Sequence, residues 1–141
     1  MTSLHPSVTH EMLQQALTDW FAPWVRSLGL QVVSFDDGEA TLRLPHSDQL
    51  SRIGGTVCGQ ALMSAADTAM VLAIVTRLGN QRPMTTVQIN TSFLKPLSGQ
   101  NALVTARLIR AGRTLAFGEI DICSETDGQS VCRASTTYAL L

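Results

Sequence analysis

The sequence predicts an α+β domain in which an antiparallel β-sheet wraps around one long central α-helix, with a short helix ahead of it. Two observations carry this expectation. The patterns are segregated in the order helix, two strands, long helix, four strands, which favours an antiparallel sheet with its helices to one side. The stretch from Gly59 to Leu78 is also apolar nearly all round, so it must be covered on every side.

At the start, Ser7-Val8-Thr9-His10 leads into EMLQQALTDWF, where Met12, Leu13, Ala16, Leu17 and Trp20 recur at helical spacing until Pro23. This predicts an amphipathic helix over roughly 10–22, ahead of a core over roughly 25–141. Leu30 to Phe35, the turn Asp36-Asp37-Gly38, and Ala40 to Leu44 read as a β-hairpin ended by Pro45. The loop HSDQLSRIGG feeds the central helix, which Gly79-Asn80 stops. Beyond it, TTVQINTSFLKP alternates Val87, Ile89, Thr91 and Phe93 inward until Pro96. Three further strands follow, separated by Ala111-Gly112-Arg113 and Thr126-Asp127-Gly128.

A chain of 141 residues has the size of one domain, here 1–141, and needs neither disulfides nor a structural metal to enclose a core. Its net charge of −1 and 5% aromatic content provide no basic, base-stacking surface, so nucleic acid is not an expected partner. Cys58, Cys123 and Cys132 are an odd number without metal-ligand spacing, which argues against a disulfide framework and a zinc site and favours a reducing cytoplasm. MTSLHPSVTHEMLQ lacks the basic start and apolar stretch of a signal peptide, and Gly, Gln, Ser and Asp interrupt the long apolar run, so no membrane association is expected.

Within that run, GTVCGQALMSAADTAMVLAIV, Asp67 is the only ionisable side chain between Gly59 and Thr76. An ionised carboxylate among Ala, Leu, Met and Val is costly unless paired or hydrogen-bonded, so Asp67 has either a chemical or a structural task. The structural reading is a carboxylate that caps backbone or pairs with an arginine across an interface.

GTVCGQALMSAADTA resembles the corresponding stretch of the hotdog-fold acyl-CoA thioesterases of the phenylacetyl-CoA and 4-hydroxybenzoyl-CoA type, and FLKP, RAGR and DGQSVCRASTTY are similar to the remaining strands of that family, over roughly residues 25–140. In that family an HGG triplet opens the long helix and an Asp or Glu within it is catalytic. Here Cys58-Gly59-Gln60 stands at the triplet and Asp67 at the acidic position. The resemblance implies a hotdog fold, a homodimer or homotetramer, and acyl-CoA as substrate, with coenzyme A part of that substrate and no separate cofactor or metal. It further implies that Thr86, at a position where the family carries Ser or Thr, positions water or the carboxylate. Two departures stand out: Cys58 replaces a frequent His, and Arg52 replaces an Asn often found six residues before it.

Helix geometry adds an argument independent of any family. Gly59 and Asp67 are eight residues apart, about 12 Å along a helix axis, whereas reacting groups must approach within roughly 3 to 3.5 Å. One helix cannot present both groups to one thioester; two antiparallel helices about a two-fold axis can. The expected site is therefore shared between subunits. Gly59 would offer its N–H to the carbonyl oxygen, as unpaired groups at a helix start can, and Asp67 would act as general base or as nucleophile.

Around these, Leu62, Met63, Ala66 and Met70 are the candidates to receive the acyl group. Arg52 would contact the acyl-carbonyl region, the partner's carboxylate or a phosphate. Lys95, Arg110 and Arg113, read as lying at strand ends around a turn, are candidates for the phosphates of coenzyme A, with plain rim charges as the alternative. A rival mechanism makes Cys58 the nucleophile, since a thiol at a helix start is activated; none of His5, His10 and His46 has the spacing of its base. A non-hydrolytic acyl-CoA-binding module and an enoyl-thioester hydratase are the alternative functions.

Overall fold

The computed structural model describes residues 7–141. Helix α1 spans His10–Asp19 and a short α2 spans Pro23–Arg26. Strands β1 (Gln31–Asp36) and β2 (Glu39–Leu44) form a hairpin, α3 runs from Gly59 to Leu78, and β3 (Met84–Phe93), β4 (Ala102–Ala111), β5 (Leu115–Ser124) and β6 (Ser130–Leu140) complete the chain. All six strands join one antiparallel sheet in the order β1-β2-β4-β5-β6-β3. The helix expected over roughly 10–22 ends earlier, at Asp19, and a second short helix that was not expected follows it. Pro23 cannot donate a hydrogen bond inside a helix but suits the first turn of a new one, and it opens α2.

Thr9 caps α1, its side chain accepting from the Met12 N–H at 3.1 Å. Leu13, Ala16 and Leu17 form the buried stripe of this helix. Its polar flank docks on the first strand: the Val32 N–H donates to Gln14 Oε1 at 2.8 Å, and His10 Nε2 meets the Val32 carbonyl oxygen at 2.8 Å.

α3 packs chiefly on β4, β2 and β5. Twelve of its twenty residues are buried, and Gly79, in the left-handed conformation at φ 85°, ends it by donating to the Val75 carbonyl at 2.7 Å. By length and hydropathy this helix is apolar enough to cross a membrane, and here the sheet covers most of it. One contact sets its height above the sheet. The side chain of fully buried Met70 lies directly on Gly118 of β5, where any side chain would collide with it.

β3 is an edge strand, bonded to β6 on one side. Its inward alternation is not the expected one. A bulge between Thr86 and Gln88 shifts the register, so Val87 is 60% exposed while Thr86, Ile89 and Thr91 face inward and are half-buried. Phe93, at the end of the strand, is 51% exposed.

Candidate active site

Where the sheet does not reach, α3 shows one open stripe of Gln60, Met63, Ser64, Asp67 and Val71 at successive helical turns. Trp24 and Val25 from α2, Phe21 from the bend before it and Ile89 from β3 face this stripe across a cavity of about 370 Å3, to which Asp67 contributes the one ionisable group. A larger cavity of about 610 Å3 lies between α1, α2 and β1, but its lining holds no carboxylate, histidine or thiol.

Asp67 is half-buried and firmly held. Thr86 Oγ1 donates to Asp67 Oδ1 at 2.8 Å. The Tyr138 hydroxyl lies against the same Oδ1 and, at 2.8 Å, against the main-chain oxygen of Asp67. Burial pushes the Tyr138 phenol far above its ordinary range, and the charge and hydrogen bond of Asp67 push it further, so it remains a protonated donor. Among the described residues, Asp67 Oδ2 has no hydrogen-bond partner.

Gly59 opens α3, and its N–H finds no acceptor among the described residues. Cys58, the residue before it, caps nothing with its side chain. The Phe93 ring rests on Gly59 so closely that an added Cβ would stand 3.1 Å from it. Thus Gly59 lies near the end of β3 and Asp67 near its beginning. One chain brings Asp67 and Thr86 together and keeps Gly59 away from both.

Other predicted residues are distributed unevenly. Gln60 and Met63 line the cavity. Leu62, Ala66 and Met70 do not: they are 4%, 0% and 0% exposed, because the rotation of α3 that turns Asp67 outward turns this i, i+4, i+8 stripe onto the sheet. Arg52 is exposed on a tight turn closed by its own N–H to the Thr56 carbonyl at 2.8 Å. Lys95 is separated from Arg110 and Arg113. The β3–β6 register places Lys95 by the β5–β6 turn, where its ammonium bonds Gln129 Oε1, whereas Arg110 and Arg113 flank the β4–β5 turn. The two turns are about 30 Å apart at the rise of a ten-residue strand, so one subunit cannot hold a single phosphate with all three. His10 Nε2 meets the Val32 carbonyl oxygen and His46 Nε2 lies 3.8 Å from Asp48 Oδ1, so neither is placed as a base for Cys58; His5 lies outside the described residues.

Sequence reasoning missed Tyr138, Phe21 and Trp24. Tyr138 is the chain's only tyrosine and falls on the inward alternation of β6, where a buried phenol needs a hydrogen-bond partner. That requirement was the available signal.

Residues 54–131, more than half of the chain, match the sequence profile of the thioesterase superfamily. The chain belongs to the thioesterase superfamily. Its fold is accordingly the hotdog fold, and it is a thioester hydrolase. A candidate esterase of Halobacterium salinarum is 31% identical over 71% of this chain and 69% of its own length. Human acyl-coenzyme A thioesterase 13 is 25% identical over 82% of this chain and 83% of its own. Among solved structures, a variant of a phenylacetic acid degradation protein from Thermus thermophilus superposes with a TM-score of 0.74 at 26% identity, covering 85% of this chain and 100% of that one. Zebrafish thioesterase superfamily member 2 is similar in fold, with a TM-score of 0.84 at 24% identity over 95% and 99% of the two chains.

Proposed function

We propose that this thioesterase hydrolyses small to medium acyl-CoA thioesters, aliphatic or aryl, to the free acid and coenzyme A, at two equivalent sites shared across a homodimer. The observation that carries the reading is Asp67, a carboxylate with one oxygen held by Thr86 and the other without a partner among the described residues, in the wall of an otherwise uncharged cavity. The relatives named acyl-coenzyme A thioesterases supply the substrate class.

The dimer is supported by three exposed features. β3 offers an unpaired ten-residue edge, a ready template for a second copy. The α3 stripe is only partly covered, and Phe93 and Leu94 leave apolar surface beside it. Two antiparallel α3 helices would bring Gly59 of one subunit toward Asp67 of the other. In that site the Gly59 N–H polarises the thioester carbonyl and stabilises the oxyanion of the tetrahedral intermediate. Asp67 either removes a proton from the attacking water or attacks the carbon itself to form a mixed anhydride that water then cleaves. Either route consumes one water and releases one acid and one thiol, using neither metal nor cofactor. Arg110 and Arg113 are the candidates for the phosphates of coenzyme A, and Trp24, Phe21 and Met63 for the acyl wall. The free thiols Cys58, Cys123 and Cys132 support a cytoplasmic setting.

The test is release of free thiol from a panel of short, medium and aryl acyl-CoAs, comparing wild type with Asp67→Asn. Hydrolysis should fall by roughly 10² to 10⁴ in a folded Asp67→Asn protein. Equal activity in the variant would overturn the role of Asp67, and binding of acyl-CoA without thiol release would overturn hydrolysis of this substrate class.

A further inference from the structure

Tyr138 and Thr86 are register partners on adjacent strands, β6 and β3, and both point toward α3. Two hydroxyls therefore stand side by side opposite one carboxylate. The bulge immediately after Thr86 ends this alignment, so only this pair is aimed at Asp67. Both hydroxyls meet Oδ1, and Oδ2 is left without a partner among the described residues. A carboxylate with one donor per oxygen has no preferred reactive atom, and one without donors rotates freely about its last bond. Two donors on a single oxygen do something different: they lock the carboxylate plane and distinguish the two oxygens.

The phenol is itself fixed in place. Its oxygen lies 2.8 Å from the main-chain oxygen of Asp67, and Tyr138 is 2% exposed with a rigid ring packed in the core. Its single proton serves Oδ1.

We infer that Tyr138 is a positioning residue for the thioesterase reaction: with Thr86 it immobilises Asp67 Oδ1, so that Oδ2 is the atom that takes the proton from water or attacks the thioester. This rests on the hydrolytic reading above. Within one chain the groups around Asp67 are Thr86 and Ile89 from β3, Tyr138 from β6, Gln60, Met63, Ser64, Thr68 and Val71 from α3, Trp24 and Val25 from α2, and Phe21 from the bend before it. None is charged at neutral pH, so the hydrogen bonds from Thr86 and Tyr138 are the contacts that distinguish the two carboxylate oxygens. Removing a donor from an ionised carboxylate makes it easier to protonate.

The experiment is the pH profile of kcat/KM for acyl-CoA hydrolysis, followed by thiol release, in wild type, Tyr138→Phe and Thr86→Val. For Tyr138→Phe, kcat should fall roughly 10- to 100-fold, as expected for a lost hydrogen bond to a charged group, with KM within about twofold because the ground state makes no contact with Tyr138. The acid limb should move upward, and Thr86→Val should move it in the same direction. Replacing Tyr138 by 3-fluorotyrosine keeps the shape and strengthens the donor, so it should move the limb downward; this variant decides the matter if Tyr138→Phe fails to fold. An active wild type whose acid limb is unmoved by all three changes overturns the positioning role and leaves Tyr138 as packing. A wild type that releases no thiol overturns the hydrolytic reading itself, and this role with it.

Discussion

Gly59 and Asp67 stand on one unbroken helix, eight residues and about 12 Å apart along its axis, with Phe93 against the first and Thr86 against the second, at opposite ends of the same edge strand. Nothing within a single chain brings the helix start to the carboxylate. A shared site follows if both act on one thioester.

Subunit mixing tests this directly. Gly59→Pro removes the N–H, and its backbone cost is small: proline suits the first helical position, and Cys58 before it already has the extended φ −69°, ψ 148° that proline requires. Only the half-exposed Phe93 ring needs to move. Gly59→Pro and Asp67→Asn homodimers should each be nearly inactive. When equal amounts are unfolded and refolded together, half the dimers are mixed and one of their two sites is intact, so activity should return to about a quarter of wild type. No recovery would mean that each site is built from one chain.

A second prediction concerns the seat of α3. Gly118 pairs with Leu108 and Thr136 in the middle of the sheet, and a Cβ there would collide with Met70 and approach the Arg107 carbonyl oxygen to 2.9 Å. Met70 is fully buried and the Arg107 carbonyl belongs to the sheet backbone, so Gly118→Ala should destabilise the fold by about 1–3 kcal/mol. The urea midpoint measures it. An unchanged midpoint would show that α3 can lift without penalty.

A third prediction is a pH dependence. Glu125 accepts from Arg43 Nε and Nη2, at 2.9 and 2.7 Å, and from Asn101 Nδ2 at 3.1 Å. Hydrogen bonds from Arg43 and then Asn101 hold its carboxyl below the ordinary 4.5. A carboxyl depressed in the folded state contributes stability that is present above 4.5 and is lost as pH falls from there through the folded value. Glu125→Gln should therefore lower the melting temperature at pH 7, and the gap to wild type should close as the pH falls below 4.5. A gap that persists in acid would assign the effect to packing or to Asn101 alone.

Much of the architecture was legible because it rests on local chemistry. Thr9, Gly59 and Gly79 mark helix ends by their capping and turning properties, Asp37-Gly38 turns a hairpin, and alternation separates four late strands. Asp67 was legible for the opposite reason, as a charge where the local pattern has no place for one. By itself, the sequence determined the six strands, the first and the long helix, their order, and the residue most in need of an explanation.

Tertiary structure decided which residues surround it. A helix apolar all round does not reveal which stripe meets the sheet, so whether Leu62, Ala66 and Met70 or Gln60, Met63 and Ser64 accompany Asp67 depended on its seat over Gly118. The strand order set Lys95 far from Arg110 and Arg113, and one bulge on β3 turned Val87 outward. Tyr138 reaches Asp67 across 71 residues of chain. Such a contact is specified by strand register, which arises from the packing of the whole sheet on α3, and no local pattern encodes it.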